Sequence, residues 1–276
     1  MATVIDPMSA FRTLLRADGE GAGWEPVADG ESGAAVFRSA DGSRYAKCVP
    51  ADQAAALEAE RDRVSWLGTQ DVPGPRVLDW RVGAAGAGLV TSAVRGIPAD
   101  RAPASMLRAA WEPIADAVRR LHELPPERCP FTRGLGDMFS LARDVVARGA
   151  VNPDFLPREQ RHTPGAELLA RLVPYVGQRL AQEAAQTVVC HGDLCLPNII
   201  LDPDTPAVAG FIDLGRLGRA DPYADLALLF ATAREMWGDD ERRSQAAEEA
   251  FAARYGMALD RDRERFYLHL DPLTWG

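Results

Sequence analysis

The chain has 276 residues, 47% apolar and 26% charged, which is enough to build a sizeable core in more than one lobe. Its 40 acids against 31 bases give a net charge of -9, which repels nucleic-acid phosphates and favours a cationic partner. No apolar run reaches the ~18 residues of a membrane span, Asp6 and Arg12 interrupt the start, and four cysteines without a C-x-x-C pair exclude a disulfide scaffold, so a cytoplasmic protein with reduced thiols is expected.

In chain order, the first informative segment is Gly30-Glu31-Ser32-Gly33, a glycine-flanked loop before an apolar run. It follows neither G-x-G-x-x-G nor a Walker spacing, so taken alone it reads as a hairpin turn. Ala34 to Arg38 and Ser43 to Val49 read as strands joined by Ala40-Asp41-Gly42. The second strand carries Lys47, the single lysine in a chain that otherwise writes arginine wherever it needs positive charge. A compact ammonium on a flexible stem meets a phosphate oxygen as a point charge, which a planar guanidinium fork does not do at a tight site. The bland alternative is a lysine left on a surface strand. Residues 51–68 form a helix with Leu57, Val64 and Leu67 on one stripe and Gly68 at the end. Gly88 to Val94 reads as an apolar strand running into the breaker cluster Arg95-Gly96-Ile97-Pro98, suited to a hinge. Beyond it the chain is mainly helical. Leu107, Trp111, Ile114, Val118 and Leu121 form one core stripe, closed by a structural His122, and Leu168, Leu169, Leu172, Val173, Val176 and Leu180 form another.

Thr187 to Cys190, Ile199 to Leu201 and Val208 to Ile212 then read as short buried strands. Polar side chains just past such strands stand at a sheet rim. His191-Gly192-Asp193-Leu194-Cys195-Leu196-Pro197-Asn198 and Ile212-Asp213-Leu214-Gly215 occupy these rims. Two carboxylates and a carboxamide at this spacing suit phosphoryl transfer, in which the protein orients an attacking hydroxyl and supplies cations to offset phosphate charge. Asp193 can accept the hydroxyl proton, and Asn198 and Asp213 are hard oxygen ligands of the kind magnesium takes. Each aspartate by itself also reads as a turn residue capping backbone N–H groups. The stretch from Asp213 to the apolar helix Ala224 to Met236 is too short for the activation segment and peptide platform of a protein kinase, which points to a small hydroxylated acceptor.

These two motifs resemble the catalytic loop and metal-binding turn of the aminoglycoside phosphotransferase family, relatives of the protein kinases in which HGDxxxxN and IDxG stand for HRDxxxxN and DFG. The resemblance runs from about Gly30 to Gly276 and implies an α+β, bilobal, protein-kinase-like fold. A small antiparallel-sheet lobe, residues 1–94, would bind nucleotide, and a larger, mainly helical lobe, residues 95–276, would carry catalysis and substrate binding. It implies ATP and Mg2+, with Asp193 the catalytic base and Asn198 and Asp213 the metal ligands. Lys47 would contact the nucleotide phosphates, with Glu60 as its acid on the following helix. Glu58 is the competitor; it lies two positions away, about 200° around the helix, so only one of the pair can face the lysine. Ser32 matches a nucleotide-positioning serine, the backbone of Ser92 to Val94 an adenine edge, His191 a loop-organising histidine, and Asp225 an aspartate that anchors the catalytic-loop backbone.

Asn152 to Pro157, Val189 to Asp193, Ile212 to Gly218 and Leu270 to Gly276 are similar to the streptomycin-directed branch of that family. That implies a small-molecule aminoglycoside acceptor, phosphorylated at a 3''-hydroxyl with antibiotic resistance as the result, and no nucleic acid, membrane or obligate protein partner. The guanidinium groups of such a drug require carboxylates. Asp271, at a family substrate position, and Glu235 are the candidates, with the terminal carboxylate of Gly276 behind them, although Asp271 fits a cap on the final turn equally well. Two other readings stay open. One is a kinase of another small hydroxylated cation such as choline, which needs an aromatic cage that Trp237, Tyr267 and Trp275 can supply. The other is a non-catalytic kinase-fold binding protein, against which stands the presence of Lys47, Asp193, Asn198 and Asp213 together.

Overall fold

The computed structural model describes residues 11, 14–15, 23–27, 34–237 and 240–276. The loop Gly30 to Gly33, and with it Ser32, lies outside them. The chain divides into two units, Met1–Arg95 with Ala209–Gly215, and Gly96–Val208 with Arg216–Gly276.

The first unit holds β1 (Trp24–Val27), β2 (Ala35–Ser39), β3 (Arg44–Val49), β4 (Val77–Gly83) and β5 (Gly86–Ser92), joined as an antiparallel sheet in the order β1-β2-β3-β5-β4. Gly42 turns the β2–β3 hairpin at a left-handed φ of 68°, which a side chain resists. Side chains alternate between the faces of a strand. Ala46 and Cys48 of β3 therefore join Phe37, Val90, Phe11 and Leu15 in one core. Lys47 and Val49 take the other face, where Val49 packs with Ala87, Leu89 and Leu57. Leu57 belongs to α1 (Ala54–Leu67), which follows a 3-10 turn at Ala51–Gln53 and buries Leu57, Val64 and Leu67. Each of those side chains contributes roughly 1.5–3 kcal/mol by leaving water.

The second unit is mainly helical, so the α+β class expected from the sequence is the one observed. Its helices are α2 (Ala104–His122), α3 (Leu135–Ala147), α4 (Gly165–Leu172), α5 (Val176–Ala185), α6 (Tyr223–Trp237), α7 (Glu241–Tyr255) and α8 (Arg261–Leu270). Short strands lie between and around them: β6 (Ile97–Pro98), β7 (Val188–Cys190), β8 (Ile199–Leu201) and, beyond β9 (Val208–Phe211), whose residues after Val208 belong to the first unit, β10 (Gly218–Ala220). β6 pairs with β8, and β10 pairs with β7, setting Gly218 opposite Cys190. The stripe expected from Leu168 to Leu180 is not one helix. Pro174 has no N–H to donate, so the chain passes through a 3-10 turn at Val173–Tyr175, and Val173 and Leu180 are left exposed. Among the described residues no helix is long and apolar enough to cross a membrane.

Candidate active site

In the first unit the period-2 alternation of β3 aims Lys47 at α1, and the helical period settles which acid it meets. Glu60 lies on the stripe of Leu57, Val64 and Leu67 and accepts from the Lys47 ammonium at 2.9 Å (Oε2) and 3.2 Å (Oε1). Glu58, on the far side of α1, pairs with Arg61 instead. Asp213 Oδ1 lies 3.5 Å from the same ammonium. Burial pulls the Lys47 pKa down, but the charges of Glu60 and Asp213 outweigh it and hold the pKa above its ordinary value, so the group stays an ammonium. Asp213 is the one non-glycine residue with a positive φ, 58°, among the described residues. Such backbone is costly for a side-chain-bearing residue and collects where geometry serves chemistry. Its side chain is 55% exposed. A Cβ at Gly215 would lie 3.2 Å from Glu60 Oε2, a tight contact on the acid that Lys47 holds.

Ser92 closes β5, where its N–H donates to Arg76 O and its hydroxyl accepts from Arg76 N–H, both at 2.9 Å. The Ala93 N–H donates to Ser43 O at 2.8 Å. Of the backbone expected at a base edge, two N–H groups are thus spent inside the sheet. Val94 lines a cleft of about 410 Å³ with Gly68, Gln70, Pro73, Arg76 and Ala209. Neither Lys47 nor Asp213 lines that cleft.

In the second unit, the turn after β7 carries the acid. Asp193 accepts from Asn198 Nδ2 twice, at its backbone oxygen (2.9 Å) and at Oδ2 (3.0 Å). Asn198 is buried, and with its nitrogen so committed its amide oxygen is the atom left to act as a ligand. The amide oxygen of Asn198 in the second unit and the exposed carboxylate of Asp213 in the first are each hard donors, of the kind that suits magnesium better than a soft metal. His191 is fully buried, and its Nδ1 accepts the Asp193 N–H at 3.3 Å, so the ring serves the loop's shape. Gly192 has a φ of 84°, and a Cβ there would fall 2.1 Å from the backbone oxygen of Arg216.

The loop is anchored from α6. Asp221 caps that helix by accepting the Tyr223 N–H at 2.8 Å, Pro222 follows it, and Asp225 sits in the first turn. Asp225, fully buried, accepts the N–H groups of His191 (2.6 Å) and Gly192 (2.8 Å) and meets His122 Nε2 at 3.0 Å. A carboxylate only accepts, so Nε2 carries a proton, while Nδ1 meets the Tyr255 hydroxyl at 2.7 Å. Burial raises the Asp225 pKa, but His122 and the loop N–H groups more than offset it, leaving the carboxyl below its ordinary range. Cys190 lies close enough to His122 and Asp225 to suggest a metal trio, yet both histidine nitrogens and the Asp225 carboxylate already have protein partners. Burial also pushes the Cys190 thiol well above its ordinary pKa.

The carboxylates expected to face a drug part ways. Glu235 is exposed on α6. Asp271 is buried; Oδ1 accepts from Arg133 at 3.3 Å, with Arg216 at 3.8 Å, and Oδ2 accepts from Trp275 Nε1 at 3.1 Å. No aromatic cage forms from the three rings proposed for one. Trp237 is buried edge-on to Trp111 with ring centres 5.6 Å apart, Tyr267 is 1% exposed, and the face of Trp275 already carries the Arg216 guanidinium, 3.3 Å from its centre. The sequence reading gave Arg216 and Arg133 no role. With arginine the default base of this chain, two that matter look like all the others.

Residues 23–267 match the phosphotransferase enzyme family. The chain is 67% identical over 258 residues to the streptomycin 3''-kinase of Streptomyces griseus, covering 94% of each. It is 88% identical to the solved aminoglycoside phosphotransferase APH(3'')-Id of Streptomyces rimosus, with a TM-score of 0.95 over 99% of this chain and 100% of that one. A second structure of APH(3'')-Id, in complex with ADP and streptomycin, matches with a TM-score of 0.94 at 86% identity over the same shares.

Proposed function

The chain belongs to the phosphotransferase enzyme family, and from that premise we propose that it moves the γ-phosphoryl group of ATP to the 3''-hydroxyl of streptomycin, inactivating the drug in the cytoplasm. The observation that carries this reading is the Asp193–Asn198 pair in a chain 67% identical to a streptomycin 3''-kinase. Transfer is direct, from nucleotide to sugar, with no phosphorylated enzyme. Asp193, braced by Asn198 Nδ2, orients the sugar hydroxyl and receives its proton late in the step. Lys47, fixed as an ammonium by Glu60, offsets charge on the nucleotide phosphates. Asn198 and Asp213 are assigned to magnesium, which when bound neutralises charge building on the phosphates. Val94 is assigned the base-edge contact. Exposed Glu235 and the net charge of -9 favour a polycationic acceptor.

Incubating the protein with Mg-ATP and streptomycin and weighing the drug tests the reaction, with NMR of the product locating the phosphate. The drug should gain one phosphoryl group on the 3''-oxygen. Unchanged drug with nucleotide bound would support the non-catalytic alternative, and parallel trials with kanamycin, hygromycin and choline would expose another acceptor.

Lys47→Ala should weaken ATP binding by about 10–100-fold, the worth of one charged hydrogen bond to phosphate. Lys47→Arg should recover little of it, because the guanidinium is too wide for the seat between Glu60 and Asp213. Nucleotide titration by calorimetry measures both.

A further inference from the structure

Arg216 stands three residues past Asp213 and belongs to the second unit. The C-terminal turn grips its guanidinium from several sides. The group lies 3.3 Å over the Trp275 ring, donates from Nη1 to Thr274 Oγ1 at 2.9 Å and from Nη2 to the Thr274 carbonyl at 3.2 Å, and has Asp271 at 3.8 Å. The turn braces itself as well: the Thr274 hydroxyl donates to Asp271 O at 2.7 Å, Trp275 Nε1 reaches the Asp271 carboxylate, and Arg133 donates to Asp271 and Thr274. At its other end, Arg216 presses its backbone oxygen into the space that a Cβ on Gly192 would fill. Gly192 is the residue immediately before the base.

We propose that the C-terminal turn Asp271–Trp275 is a positioning element for phosphoryl transfer, holding Arg216 against the catalytic loop so that Asp193 keeps its working geometry. This rests on Asp193 being the base. Trp275 and Thr274 act through Arg216, not on the substrate. The charge balance agrees with the packing. Burial and the neighbouring Arg133 draw the Arg216 pKa down to about 10, while the carboxylates of Asp271 and Asp193 oppose them. It also gives Asp271 a role apart from drug contact, since its oxygens serve Arg133, Arg216 and Trp275.

Steady-state kinetics on the full-length enzyme with Mg-ATP and streptomycin test the proposal. Trp275→Ala should lower kcat by about 10–100-fold, the scale of a small misplacement at a reacting centre, with the KM for ATP and for streptomycin little changed. Trp275→Phe, which still offers a ring face, should restore most of the loss. The double variant Arg216→Ala/Trp275→Ala should be no slower than Arg216→Ala alone, because the tail acts through that arginine. Thr274→Val, which removes a hydroxyl and keeps the volume, carries the same test if Trp275→Ala does not fold. A wild-type kcat in Trp275→Ala, a loss confined to the KM for streptomycin, additive losses in the double variant, or failure of phenylalanine to rescue would each overturn the proposal. A wild-type protein that transfers no phosphate would instead refute the reaction itself.

Discussion

Replacing Asp193 with alanine is expected to lower kcat by about 10²–10⁴-fold, or roughly 3–5 kcal/mol of barrier, while ATP binding stays within a few-fold of wild type. The asymmetry follows from where the residues sit. Asp193 belongs to the second unit, with Asn198 holding its backbone oxygen and Oδ2, whereas the ammonium assigned to the phosphates is set in the first unit by Glu60. Asp193→Asn should lose nearly as much, because an amide keeps the shape but takes no proton. Single-turnover kinetics with radiolabelled ATP, beside calorimetric titration of nucleotide, separate the two quantities. A variant that turns over at the wild-type rate per bound ATP would show that the base lies elsewhere.

Asp225→Ala carries the largest expected cost in stability. Deleting this carboxylate leaves the His191 N–H, the Gly192 N–H and His122 Nε2 buried without their acceptor. Removing one partner from a buried charged network costs about 3–5 kcal/mol, which at this chain length lowers Tm by on the order of 10 °C. The pH dependence has a definite sign. The Asp225 pKa is depressed in the folded state, so its contribution is fully present above the ordinary carboxylate value and fades as pH falls through the folded one. Thermal unfolding of wild type and variant from neutral to acid pH should show the gap between them narrowing toward the acid end. A gap below about 0.5 kcal/mol at neutral pH, the size of an ordinary surface change, would mean that Asp225 is not the loop's anchor.

Much of this protein is written in local patterns. The hairpin carrying Lys47 is legible because two short runs flank the turn Ala40-Asp41-Gly42, and α1 because its leucine and valine stripe repeats at the helical period. The candidate acid and metal ligands are legible because polar residues interrupt apolar runs at the short strands β7, β8 and β9. Other elements are hidden by composition. In α7 and α8 charged residues sit where an apolar stripe would announce a helix, and only the caps show where these helices start. Asp240 accepts the Arg243 N–H and Asp260 the Arg263 N–H. Glu248 and Glu264 lie buried there because Arg234 and Arg261 pair with them, which no periodicity reveals.

The amino-acid sequence by itself determined the fold class and the family and singled out the residues to which the chemistry is assigned, since each depends on residue type and on spacing along a few turns of chain. It also narrowed the partner of Lys47 to two acids, because helical geometry is local. Only the tertiary structure decided what those residues touch. It put Asp271 beneath two guanidinium groups, 138 residues from Arg133 and 55 from Arg216. It turned the rings that suggested a cation cage into core and into a seat for Arg216. It also tied Asp225 to backbone 33 and 34 residues away. Contacts at such separations are selected by the packing of the whole unit, in which a buried donor must find an acceptor and a buried charge its counter-charge, and neither requirement leaves a mark on the neighbouring letters of the chain.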